Sequence, residues 1–149
     1  MREVRRSALV PYTPGQMYSL VNDVAGYPAF VPFCPATRVL EASATSLTAS
    51  IAVERAGIRV SLTTRNTLVP GESIHMVLID GPLKSFDGRW QFIAIRDANE
   101  VLQGCRVELR IDFEFRSAAL GLVAGPVFES SWNALVDAFV RRAREIYGG

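Results

Sequence analysis

The chain has 149 residues, a formal net charge of +1 and 49% hydrophobic residues, which fits one domain with a substantial core or an internal cavity. The near-neutral balance implies no polyanion partner by itself, and no apolar run approaches the ~20 residues of a membrane span. Met1-Arg2-Glu3-Val4-Arg5-Arg6 is basic but lacks a following apolar core, so a cytoplasmic protein is expected. Arginine dominates the cations, with Lys84 as the sole lysine; arginine favours planar contacts to carboxylate or phosphate, and a compositional bias explains the skew equally well.

Residues 2–10 read as a first strand ending at Pro11. Thr13-Pro14-Gly15-Gln16 is a capping box with proline in the first turn, and Met17, Leu20, Val21 and Val24 continue at helical spacing. This predicts a short amphipathic helix to about Val24, ended by Gly26. Tyr27-Pro28-Ala29-Phe30-Val31-Pro32-Phe33-Cys34-Pro35 follows, too proline-rich for an ordinary helix or central strand and too apolar for a solvated loop. One helical turn between Pro28 and Val31 is the expectation there. Tyr27, Phe30, Val31 and Phe33 form either a wall over an apolar ligand or a plug for one end of the core.

From Thr37 to Phe115 the period becomes two. Leu47, Ala49, Ile51 and Val53 alternate up to a tight turn at Ala56-Gly57, and Ile58, Val60 and Leu62 alternate back. Turns are expected at Pro70-Gly71, Asp80-Gly81-Pro82 and Asp97–Glu100, bounding strands Ser73–Ile79 and Arg89–Ile95, with Asp87-Gly88 before the latter. In the last strand Val107, Leu109, Ile111, Phe113 and Phe115 face one way; Arg106, Glu108, Arg110, Asp112 and Glu114 face the other. That strand expects neighbours of opposite charge on its wet face.

Phe128, Trp132, Leu135, Val136, Phe139, Val140, Ala143, Ile146 and Tyr147 form an apolar stripe on a C-terminal helix. Ser117 can cap an earlier start near Ala118, with Gly125-Pro126 inside the helix. Six strands without an intervening helix exclude parallel crossovers. The class is therefore α+β, an antiparallel sheet of about seven strands curved around a long C-terminal helix, with two short helices after the first strand.

The chemistry-bearing residues are sparse. Cys34 and Cys105 are far apart and read as buried thiols; with His75 and scattered carboxylates they suggest no metal site. His75, the one imidazole, has no recognisable nucleophile partner, so catalytic residues are not expected. Phe86, Trp90 and Phe92, Phe113, and Trp132, Val136 and Phe139 pack a core or line a cavity. An isoprenoid tail would suit such walls, since each buried CH₂ contributes about 0.8 kcal/mol. Lys84 and Arg89 are candidates for contact with a ligand headgroup or RNA. The cluster Arg141, Arg142 and Arg144 is a candidate only if it joins other arginines in space.

Three ordered stretches carry a resemblance: Gly26–Cys34, Gly81-Pro82-Leu83-Lys84-Ser85-Phe86-Asp87-Gly88-Arg89-Trp90-Gln91-Phe92, and Gly125-Pro126-Val127-Phe128-Glu129 with Val136-Asp137-Ala138-Phe139. They resemble the START-like family of bacterial ribosome-association toxins and mitochondrial coenzyme-Q-binding proteins, within the polyketide cyclase/dehydrase superfamily. Histidine or lysine is common in that family where Ser85 stands. The resemblance implies a helix-grip (START/Bet v 1-like) fold around an apolar pocket. It implies a non-enzymatic protein with no cofactor, holding ubiquinone or another isoprenoid lipid in support of respiration, with peripheral contact to the inner membrane. The alternative it implies is binding to the large ribosomal subunit that blocks 70S formation; a cyclase or aromatase, which needs polar acid-base groups in the pocket, ranks last.

Overall fold

The computed structural model describes residues 2–148. Strand β1 (Arg2–Val10) leads into α1 (Pro14–Asn22), a 3₁₀ segment (Val24–Ala29) and then β2 (Ala36–Ala42), β3 (Ser46–Arg55), β4 (Ile58–Val69), β5 (Ser73–Asp80), β6 (Leu83–Arg96) and β7 (Leu102–Phe115). Helix α2 (Ala118–Tyr147) closes the chain. Strands β2 to β7 form a meander and β1 returns to pair with β7, giving the order β1-β7-β6-β5-β4-β3-β2 with every pair antiparallel. Register shifts at Val39/Glu41, Thr63/Thr64, Leu83/Ser85 and Ile95/Arg96 add the local bends that let such a sheet curve.

Local chemistry explains each boundary. Thr13 accepts from the Gln16 backbone N–H at 3.0 Å while Gln16 Oε1 accepts from the Thr13 N–H at 2.9 Å, a closed capping box. Helix α1 stops at Asn22, and Gly26 lies inside the following 3₁₀ segment rather than ending α1. That segment spans Val24–Ala29, earlier than the turn expected at Pro28–Val31: Pro28 has no N–H to donate, and the Gly26 N–H already bonds Asp23 O at 3.1 Å. Ala56 and Gly57 have φ of 53° and 79°, the paired positive values of the tight hairpin turn between β3 and β4.

Asp87-Gly88 is no strand start; β6 runs straight through it. A Cβ on Gly88 would lie 2.5 Å from Met76 Cε and 2.8 Å from Ile111 Cδ1, so this glycine serves close packing rather than a turn.

Helix α2 begins at Ala118, its Ser117 Oγ accepting from the Leu120 N–H at 3.2 Å. Most of its apolar stripe fills the concave face of the sheet: Phe128, Phe139 and Ala143 are fully buried, as are Phe113 and Ile111 opposite, whereas Ile146 in the last turn is 49% exposed. Arg2 on β1 crosses over Gly125 to pair with Glu129 at 2.7 Å, and Arg6 reaches Asp137 at 3.1 Å. Tyr147 Oη donates to Gln16 O at 3.1 Å, and Tyr12 Oη donates to Gly148 O, so the C-terminal end of α2 is tied to the N-terminal region. No helix among the described residues is long and apolar enough to cross a membrane.

Candidate functional site

Two regions have the geometry of a site: the interior between sheet and helix, and the outer face of the sheet. The interior is nearly full. Its two cavities measure about 20 and 30 Å³ and meet at Tyr27, Ile51 and Trp132. The first is bordered also by Val31, Pro32, Cys34, Val53, Ser131 and Leu135. The second adds Val24, Ala49, Thr64, Asn66, Met76 and Trp90.

The aromatic candidates divide accordingly. Tyr27, Val31, Trp90 and Trp132 border the cavities. Phe139 is packed between Tyr27, Phe30 and Trp90 at ring distances of 5.3, 5.4 and 5.5 Å. Phe86 lies 5.6 Å from Trp132, Phe92 5.9 Å from Tyr18, and Phe113 4.9 Å from Phe128. With Val136 these pack the core and border neither interior cavity, while Phe113 also borders a surface depression of about 190 Å³. Phe30 is only partly buried, and the Arg142 guanidinium stacks 5.2 Å over its ring. Phe33 is held at φ 63°, its ring under Arg55 at 4.7 Å and its carbonyl accepting from the Glu54 N–H at 2.8 Å.

Polarity inside is low but not absent. Val60, Leu62, Thr64, Asn66 and Leu68 all point inward from β4, so the alternation read as far as Leu62 continues with two polar residues. Thr64 Oγ1 donates to Asn66 Oδ1 at 2.8 Å. Burial raises the Tyr27 hydroxyl pKa, helped by the charges of Cys34 and Asp23, and this neutral hydroxyl donates to Val21 O. Burial likewise raises the Cys34 thiol, and pushes the Cys105 thiol up to about 11.

The outer face differs in kind. A concavity of about 400 Å³ is lined by Arg5, Arg6, Arg89, Arg106 and Arg110, with Ser7, Gln91, Leu109 and a single carboxylate, Glu108. Strand register builds it. Arg110 on β7 stands directly opposite Arg5 on β1 and Arg89 on β6, while Asp112 stands opposite Glu3 and Asp87. Like charges thus line up across strands, contrary to the opposite-charge neighbours expected for β7. Partial neutralisation runs along the strands instead: Arg5 with Glu3, Arg110 with Asp112 at 3.4 Å and Arg106 with Glu108 at 3.0 Å.

His75 lies on the same sheet face opposite Arg89, its Nε2 2.9 Å from Asp87. Of the two headgroup or RNA candidates, Arg89 lines the concavity, whereas Lys84 does not border it. Nor do Arg141, Arg142 and Arg144; Arg142 pairs with Glu145 at 3.2 Å. Arg5, Arg106 and Arg110 are not legible as a group in the sequence, because they meet Arg89 only through the register of β1, β7 and β6.

Residues 10–140 match the family described as polyketide cyclase/dehydrase and lipid transport. A ribosome association toxin, RatA, of Vibrio cholerae is 46% identical over 148 residues, covering 99% of each chain. The mitochondrial coenzyme Q-binding protein COQ10 of Drosophila melanogaster is 26% identical over 144 residues, covering 96% of this chain and 59% of that one. In three dimensions the Zhui aromatase/cyclase of a Streptomyces species superposes with a TM-score of 0.79 at 24% identity, covering 99% and 98% of the two chains, and shares the fold.

Proposed function

From the premise that this chain belongs to the polyketide cyclase/dehydrase and lipid transport family, we propose that it is a ribosome-associating, non-catalytic member. It would dock on ribosomal RNA of the large subunit through the outer face of its sheet and so oppose 70S formation. The observation that carries this reading is the concavity of about 400 Å³ where Arg5, Arg89, Arg106 and Arg110 stand on the outer face with one lining carboxylate; Arg6 borders it too but turns to Asp137 of α2. A concave surface richer in cations than in anions, even with Arg5, Arg106 and Arg110 partly paired, focuses positive potential and raises the local concentration of polyanion. Guanidinium groups then contact phosphate in bidentate fashion, fixing position without reading sequence.

The acidic residues Glu3, Asp112 and Asp87 form a neighbouring row, of which Glu3 and Asp112 pair with Arg5 and Arg110 along the strands, so phosphate competes with these pairs for the guanidinium groups. Relatives named for ribosome association run the full length of this chain at 46% identity, which supports the same reading. Sucrose-gradient centrifugation tests it. Purified protein should co-sediment with large subunits in low salt and lower the 70S peak when subunits are re-associated; an unchanged 70S peak with all protein at the top of the gradient overturns it.

A second reading is favoured by a different observation, the two small cavities that meet at Trp132. They support an apolar ligand such as a polyprenylated quinone, which would connect the protein to respiration and to the inner membrane surface. At 20 and 30 Å³ they hold no more than about one water each as they stand, so this reading requires the wall to open. Lipid extraction and mass spectrometry of protein purified from its own host test it, with no co-purified lipid and no uptake of added quinone as the overturning result.

A further inference from the structure

Cross-strand rows succeed one another on the outer face where β1, β7 and β6 meet. Arg5, Arg110 and Arg89 form one row, and two residues along the strands Ser7, Glu108 and Gln91 form the next. Arg106 stands two residues beyond Glu108 on β7. At about 3.4 Å per residue, Arg106 and Arg110 are roughly 14 Å apart along the strand. Two cationic edges therefore flank a row that carries no cation, and all of these residues line the one concavity.

The middle row suits a hydroxyl better than a phosphate. An ionised carboxylate only accepts hydrogen bonds, so Glu108 repels phosphate oxygens and attracts a hydroxyl proton. Its Oε2 pairs with Arg106 at 3.0 Å, and a carboxylate with about four lone-pair sites keeps acceptor capacity beyond one such pair. Ser7 and Gln91, on either side of it, are exposed, and each of these side chains both donates and accepts.

Single-stranded RNA is held largely by stacking its bases on aromatic side chains. Here every Phe, Tyr and Trp packs in or against the hydrophobic core, away from the outer face. The one imidazole on that face, His75, is hydrogen-bonded to Asp87 at 2.9 Å and does not line the concavity. A duplex makes no such demand. The wide, shallow minor groove of A-form RNA displays 2′-hydroxyls between its two phosphate strands, the same order of charge and hydroxyl that the rows of this face can meet.

We propose that this face docks across the minor groove of duplex RNA. Arg5, Arg110 and Arg89 take the phosphates of one strand, Arg106 takes those of the other, and Ser7, Glu108 and Gln91 meet the 2′-hydroxyls between them. This rests on the ribosome-docking reading above and adds to it the form of RNA recognised and the groups that tell RNA from DNA. A DNA duplex offers Glu108 no hydroxyl proton and leaves its charge facing phosphate, so DNA is disfavoured by repulsion as well as by a lost contact.

Fluorescence anisotropy at about 50 mM monovalent salt tests it with an RNA duplex of about 16 bp, the DNA duplex of the same sequence, and one RNA strand alone. The parent chain should bind the RNA duplex about tenfold more tightly than either other probe, the ratio that one or two hydrogen bonds supply. Glu108→Ala and, independently, Gln91→Leu should bring the RNA-to-DNA ratio to about threefold or less, Glu108→Ala by raising the affinity for DNA. Thermal unfolding confirms that each variant folds. Equal affinity of the parent for the two duplexes overturns the hydroxyl assignment, and a single strand bound as tightly as the duplex overturns the groove. Either result leaves the ribosome reading standing where the protein co-sediments with large subunits. A ratio kept intact in both variants removes the middle row from the site. No binding of the RNA duplex overturns the proposal, and if co-sedimentation is absent too, the ribosome reading falls with it.

Discussion

Arg5 and Arg110 face each other as direct cross-strand partners on the outer side of the sheet, and Arg89 continues the row on the next strand. Like charges so placed are unfavourable by a few tenths of a kcal/mol or more. The fold tolerates the row without needing it, so the binding role proposed for it is separable from any structural one. Arg89→Gln/Arg110→Gln should therefore weaken co-sedimentation with large subunits at least about tenfold in 100 mM salt. Its unfolding temperature should stay within about 3 °C of the parent, as for other surface changes. Loss of binding and of stability together would assign the arginines to the fold instead.

If the contacts are to phosphate, affinity must fall steeply with salt. A protein engaging about four phosphates gives a log–log slope near −3 to −4. Gradients run between 50 and 200 mM monovalent salt should show that slope for the parent and a shallower one, by about one for each arginine removed. A slope near zero would exclude RNA backbone as the partner of this face.

Gly104 and Gly88 make a graded pair. A Cβ at Gly104 would lie 2.1 Å from the Val10 carbonyl oxygen, in the backbone of the paired strand; at Gly88 the close approaches are to the side-chain ends of Met76 and Ile111, with the Phe86 ring at 3.4 Å. Gly104→Ala should cost several kcal/mol and loosen the β1–β7 edge, whereas Gly88→Ala should cost about 1–3 kcal/mol. Urea unfolding of both variants measures the difference, and amide exchange along β1 locates it.

Phe139 and Phe33 separate plug from wall. Phe139 is fully buried among Tyr27, Phe30 and Trp90, so Phe139→Ala should cost about 3–5 kcal/mol. Phe33 borders an open depression and sits at φ 63°. Phe33→Gly relieves that backbone while losing the Arg55 contact, and should leave stability within about 1 kcal/mol. Equal destabilisation by the two would make the whole proline-aromatic segment a plug.

Alkaline pH should destabilise the protein through its thiols. Burial holds the Cys105 pKa at about 11, above the ~8.5 of an exposed thiol. The folded state thus keeps a proton that the unfolded state releases. The stabilisation is complete below the unfolded value and is lost as pH rises through the folded one. Urea midpoints should decline between about pH 8.5 and pH 11, and Cys105→Ala should flatten that decline.

The architecture was largely legible because hydrophobic period, capping chemistry and turn residues agreed along the chain. Thr13-Pro14-Gly15-Gln16 and Ala56-Gly57 are read correctly since their chemistry is local. Asp87-Gly88 misleads because the glycine is required by Met76 from β5 and Ile111 from β7, which no local pattern reveals. The same limit hides the arginine row. Arg5 and Arg110 become neighbours only through register between the first strand and the last. Trp90 and Trp132 stand out as large aromatics, while Asn66 does not, because its inward direction follows from continuing the β4 alternation past Leu62.

The pairing of β1 with β7 also sets a clock. During synthesis the first strand waits, unpaired, until Leu102–Phe115 has been made, and its concave side stays bare until Ala118–Tyr147 arrives. Long-range pairing of this kind is slow and late. Arg5, Arg89 and Arg110 therefore converge only once Leu102–Phe115 has been made, so a nascent copy short of that strand has no assembled arginine row.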